Sequence, residues 1–307
     1  MSTPYLGAGY VPNHAAVRQI PCRMGTAMAM TWTDDSIEVG AGAPVPVRVY
    51  GKRQRGATPP LVLHLHAGAF VGGTLESGQL VASLLAEAGA IVVSADYPLA
   101  PAHIFPDALR ATLAVLNALH HNRAHWAARK SQVFVAGEEA GGNLAAGLAL
   151  VARDRHPGLL AGQILISPML DPLMGTCSIR SADAGPVGCQ WADGWHQYLG
   201  SPEKAAHPYA APLNSIRLAG LAPALVLTAQ DDPMRDESQR YARRLRESGV
   251  PVQHDVLTAP TGWPCAFANP ESAAEPWAAA LRERAVMFFA ATAPSRHSVS
   301  ALHPMPA

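Results

Sequence analysis

The sequence predicts an α/β protein built on a mainly parallel sheet covered by helices on both faces. One observation is alternation: short apolar runs and stretches of helical spacing succeed one another from about residue 45 onward. The other is size, since 307 residues with 49% hydrophobic side chains suffice for one generous core. The expected organisation is a single domain over 1–307, with 1–40 and 169–223 contributing a helical lid and 293–307 forming a loose tail. Lys+Arg and Asp+Glu are equal at 23 each, which leaves no basic face for phosphates and excludes nucleic acid as a partner. No basic segment precedes an apolar one near the N-terminus. No apolar run approaches the roughly 18–20 residues of a membrane span, so the expectation is a cytoplasmic chain with no membrane partner.

Each element has its own signal. Up to about Ile37 the chain mixes Gly, Pro, Ala and Met without a firm period, which suits lid segments better than a core layer. VPVRVYG alternates from Val45, while LVLHLHAG from Leu61 and IVVSA over Ile91 to Ala95 are short apolar runs, and all three read as strands. Helical spacing covers Ser77 to Ala90 and Pro106 to His120. The strand QVFVAG ends at Gly137, a helix runs from Ala140 to Arg155, and the strand GQILISP ends at Pro168. The alternation then lapses until Ala224, and Trp191, Trp195 and Tyr198 mark a helical insertion there. PALVLTA, a helix from Glu237 to Ser248, VQHDVL and a helix from Ala274 to Ala290 complete the pattern. Cys22, Cys177, Cys189 and Cys265 lack the close spacing of metal or redox pairs and are expected to be reduced thiols. No metal cluster, Rossmann glycine pattern or phosphate loop is evident, so no cofactor is expected.

Four segments in order carry a resemblance. His66-Ala67-Gly68-Ala69-Phe70 resembles an HGGGF loop. Asp96-Tyr97-Pro98-Leu99-Ala100-Pro101, followed by Phe105-Pro106, resembles DYRLAPEHPFP, departing at Pro98. Gly137-Glu138-Glu139-Ala140-Gly141-Gly142-Asn143 stands in the place of GDSAGGN, between a strand and a helix as a nucleophile elbow requires. Asp232-Pro233-Met234-Arg235-Asp236-Glu237 resembles DPLRDE. Together they identify the region from about Val45 to Phe267 as similar to hormone-sensitive lipase-like esterases. That resemblance implies the α/β-hydrolase fold.

By the same resemblance the family's serine falls on Glu139, its histidine on Cys265 and its acid on Asp232. Serine hydrolysis needs the first two, so the resemblance implies a chain that is not a working serine esterase. It also implies an oxyanion hole made by the amides of Gly68, Ala69 and Ala140, with Phe70, Trp191, Trp195, Tyr198 and Trp263 as candidate walls for a small apolar or ring-bearing carbonyl substrate. Asp232 and Glu139 are expected to lie near each other. Cys265 is expected to be an inert, space-filling thiol, and Glu138 to face away from the pocket and support backbone. His66, His103, His196 and His207 are candidates for a recruited base, His66 being the one expected to hold backbone.

Three function classes stay open. The leading expectation is a non-hydrolytic enzyme of small-molecule or natural-product metabolism, with Glu139 as general acid or base for isomerisation, elimination or cyclisation. An atypical ester, lactone or epoxide hydrolase using Glu139 or a recruited histidine is the second. In the third, the Glu139 carboxylate folds into the hole and plugs it, leaving an inactive ligand-binding protein.

Overall fold

The apolar runs assemble into one eight-stranded sheet in the computed structural model, which describes residues 31–39, 43–181 and 185–294, without the side chains of 185–189. The strands are β1 (Trp32–Ile37), β2 (Val45–Tyr50), β3 (Leu61–Leu65), β4 (Ile91–Ala95), β5 (Val133–Glu138), β6 (Gly162–Ile166), β7 (Ala224–Ala229) and β8 (Val252–Leu257). Their order is β1-β2-β4-β3-β5-β6-β7-β8. The β1–β2 and β2–β4 pairings are antiparallel, and the sheet is parallel from β4 to β8.

Strand parity sorts the side chains. Leu61, Leu63 and Leu65 of β3 belong to one core cluster with Leu109, Leu144 and Tyr241, which come from α2 (Asp107–His121), α4 (Ala140–Arg155) and α7 (Arg235–Glu247). Val62 points the other way. It joins Leu85 and Leu281, from α1 (Gln79–Glu87) and α8 (Pro276–Thr292), so both faces are covered. The short helix α3 (Arg123–Trp126) follows α2, and α5 (Cys177–Ser181) and α6 (Gly185–Leu199) lie between β6 and β7.

Two expectations need correction. Trp32–Ile37 is not irregular lid but the edge strand β1, and its first five residues are exposed, so no apolar alternation announces it. It is held instead by Arg48 of β2, which donates to Asp34 at 2.6 Å and lies 5.0 Å over the Trp32 ring. The first helix is also shorter than Ser77 to Ala90, because Ser77 bonds back to Thr74 in a turn and Gly89 adopts a left-handed φ of 98°. The expected lid contribution of 1–30 and the tail beyond 294 lie outside the described residues. Among those described, no helix is long and apolar enough to cross a membrane.

Candidate active site

β5 delivers the site. It ends at Glu138, and α4 begins at Ala140, leaving Glu139 alone on the turn between them with φ 53° and ψ −115°. A left-handed φ on a non-glycine residue costs of order 1–3 kcal/mol and persists only where the surroundings fix it. Two contacts do so: Glu139 N donates to Ile166 O at 3.1 Å, and Met169 N donates to Glu139 O at 3.0 Å. The first turn of α4 packs directly on the end of β3, where a Cβ on Gly141 would fall 2.0 Å from the Leu65 carbonyl oxygen.

That same turn aims the Glu139 carboxylate at the loop after β3. Gly68 N and Ala69 N donate to one oxygen, Oε2, at 2.6 and 2.9 Å, and Trp191 Nε1 of α6 donates to Oε1 at 2.7 Å. Two amides converging on a single oxygen at these lengths is the geometry that stabilises a developing oxyanion. The carboxylate of the protein itself fills it. Glu139 is 6% exposed, so N–H groups take the place of most of its water.

The expected third amide, that of Ala140, makes no hydrogen bond to this carboxylate among the described residues; it opens α4 directly beneath the side chain. Trp191 is the third donor, and nothing in its spacing on an insertion helix betrays that its indole would reach the elbow. The reason is a packing contact at Gly194. A Cβ there would lie 2.1 Å from the Ala69 carbonyl oxygen, so only glycine lets α6 press onto the loop.

The other expected wall residues divide. Phe70 stacks on Tyr198 with ring centroids 4.0 Å apart and meets Trp195 at 4.8 Å, so these three cover the core and each other. Trp263 does not join them. It lies on the opposite face of the sheet, packed on Phe267 and Trp277.

Asp232 follows β7 and is 1% exposed. It accepts from Ser167 Oγ at 2.8 Å, Thr228 Oγ1 at 2.5 Å and Met234 N at 2.8 Å. Burial pushes its carboxyl up to about 6, against the pull of these donors. Among the described residues no histidine and no Glu139 atom bonds it, so the expected acidic neighbour of Glu139 is engaged elsewhere. Cys265 opens a short 3₁₀ turn after β8 and is exposed, which corrects the expectation of a space-filling thiol.

The candidate replacement bases are also placed. His66 is buried, its Nδ1 donates to Ala67 O at 2.8 Å, and its ring stacks on Tyr97; burial lowers its pKa. His103 lies 3.9 Å from Asp107, His196 is exposed on α6, and His207 packs on Phe105. None of them bonds Glu139 or Asp232 among the described residues. Glu138 points to the far side of the elbow, where its Oε2 pairs with His64 Nε2 at 2.8 Å and its Oε1 accepts from Ala67 N at 3.2 Å.

Comparison with known proteins gives this geometry its context. Residues 62–260 match the model of a family described as having the alpha/beta hydrolase fold. The chain is 31% identical to an arylesterase of Saccharolobus solfataricus over 212 residues, covering 68% of this chain and 69% of that one. It is 37% identical to the carboxylic ester hydrolase LipN of Mycobacterium tuberculosis over 229 residues, 72% of this chain and 60% of LipN. Among solved structures, the carboxylesterase EstE1 from a metagenomic library superposes with a TM-score of 0.75 at 30% identity, covering 86% of this chain and 90% of EstE1. Relatives named as esterases overturn the expectation of a non-hydrolytic isomerase, lyase or cyclase. They point to ester hydrolysis.

Proposed function

We propose that this chain, which belongs to the α/β-hydrolase family, is an atypical hydrolase of small apolar carboxylic esters in which the Glu139 carboxylate is the reacting base. The observation that carries the reading is the convergence of Gly68 N and Ala69 N on one oxygen of Glu139, because an ester carbonyl oxygen that displaces this carboxylate inherits the same two donors.

The step balances without a histidine. Glu139 leaves the amides and accepts a proton from a water, whose oxygen adds to the carbonyl carbon, and the amides hold the resulting oxyanion. Collapse breaks the bond to the alcohol oxygen, which takes the proton from Glu139, releasing acid and alcohol and restoring the carboxylate. In this reading Glu139 takes the serine's position, Cys265 the histidine's, and Asp232 remains as a buried acid. Carboxylate attack to give an anhydride is the poorer route, since the tetrahedral intermediate expels the weakly basic Glu139 carboxylate more readily than the alkoxide and so returns to ester.

Hydrolysis of p-nitrophenyl acetate and butyrate tests this. Glu139→Gln keeps the shape and loses the base, so kcat/KM is expected to fall about 100-fold, the usual scale for a lost general base. Unchanged turnover in the folded variant overturns the reading. The capture of all three N–H donors by the protein's own carboxylate favours a second reading, a closed member that binds ligands without turnover. Tight, saturable binding of an ester or acid to an inactive wild type is its signature.

A further inference from the structure

The reacting carboxylate is not the only buried acid at the elbow. β-strand parity places Ser94 of β4, His64 of β3 and Glu138 of β5 on one face of the sheet, because His64 pairs with Ser94 and with Ala136, and Glu138 lies two residues beyond Ala136. All three are fully buried. His64 Nδ1 lies 2.9 Å from Ser94 Oγ, and His64 Nε2 lies 2.8 Å from Glu138 Oε2. This is a Ser-His-Glu array that no substrate can touch. An ionised Glu138 requires the proton on Nε2, which leaves Nδ1 to accept from the Ser94 hydroxyl in the neutral imidazole.

The far end of the array reaches the site. Glu138 Oε1 accepts from Ala67 N, and the next two amides along the chain are the ones that hold Glu139. Three consecutive N–H groups are therefore held by two consecutive carboxylates. The loop they belong to is strained: Ala69 and Phe70 have φ of 49° and 67°, and such conformations hold only where neighbouring contacts impose them. Tyr97 Oη, donating to His66 O at 2.7 Å, fixes one end of the loop, and Gly72 N, donating to Gly68 O at 2.8 Å, closes the other. Between these ends Glu138 holds the Ala67 amide, next to the two amides that Glu139 holds.

We propose that Ser94, His64 and Glu138 form a buried positioning array whose task is to hold the Ala67 amide, and through it to aim the Gly68 and Ala69 amides at residue 139. None of the three contacts the reacting atoms; they act through the loop. The inference rests on the reading of Gly68 and Ala69 as the carbonyl-binding pair, but its test uses no substrate, so failure of ester turnover and failure of the array are separate results.

The test is amide hydrogen exchange on the full chain at fixed pH, comparing Ala67, Gly68 and Ala69 with Leu165 in β6. Glu138→Leu is expected to speed exchange of the loop amides by at least about tenfold while changing Leu165 less than about threefold, the pattern of local opening. Glu138→Asp keeps a carboxylate and is expected to restore most of the protection. If Glu138→Leu does not fold, His64→Gln serves, with a smaller rise of at least about threefold at the same amides. Loop amides that change no more than Leu165, or a Glu138→Asp variant that exchanges as fast as Glu138→Leu, overturn the proposal.

Discussion

The carboxyl ends of β5 and β7 carry two buried acids of opposite character. At β5, Glu139 sits on a strained turn and meets amides and an indole of two other segments, Gly68 and Ala69 after β3 and Trp191 on α6. At β7, Asp232 is served by its own strand, by the loop after β6 and by a backbone amide two residues on, through Thr228, Ser167 and Met234. The first arrangement pre-forms a receptor for negative charge. The second wraps a carboxyl in two hydroxyls and a backbone amide, and among the described residues no histidine bonds it.

The largest effect expected from breaking this contrast is at Glu139. Glu139→Leu strands two amides and an indole N–H around a residue that is 6% exposed, at about 1–3 kcal/mol for each group left unsatisfied, so thermal unfolding should shift down by several degrees. An unchanged melting temperature would mean that the donors find water instead.

Next is the pH response of Asp232. Its folded pKa, about 6, lies above the ordinary aspartate value of 3.8, so the folded state binds the proton more tightly. Its contribution to stability is therefore full below about pH 4 and lost as pH rises through about 6, by at most roughly 3 kcal/mol for a shift of this size. Asp232→Asn should remove that component, making the wild-type minus variant difference in unfolding free energy fall between pH 4 and pH 7. A difference that rises over this window would contradict the burial argument.

Trp191→Phe removes one charge-assisted donor and keeps most of the packing, with an expected cost of about 1.5–3 kcal/mol, visible in urea titration. Smallest is Cys265→Ser. At an exposed turn position the change should stay within about 0.5 kcal/mol, and the wild-type thiol should react with a thiol reagent at the rate of an accessible cysteine. Slow labelling would show that the turn is covered.

The same contrast explains how much was legible beforehand. Strands β2 to β8 and helices α1, α2, α4 and α7 are written in local apolar runs and helical spacing, and the strand-helix junction at residues 137–143 in a Gly-rich turn. The partners of Glu139 depend on contacts across more than 50 positions, as for Trp191, and on Gly194, whose missing side chain is invisible as a signal until α6 is seen against Ala69. β1 carries no such signal, because an exposed edge strand held by Arg48 has no apolar period. Trp263 groups with the candidate wall residues by aromatic character alone, which does not say on which side of a sheet a residue after its last strand packs.

The most direct test of the central claim, that the esterase framework is intact around a substituted elbow, is the p-nitrophenyl butyrate activity of Glu139→Ser combined with Cys265→His. If the Gly68 and Ala69 amides are an oxyanion hole vacated by the shorter side chain, the folded double variant should hydrolyse the ester at least about tenfold faster than the wild type, a gain of about 1.4 kcal/mol in transition-state stabilisation. A folded double variant no faster than the wild type would contradict the account.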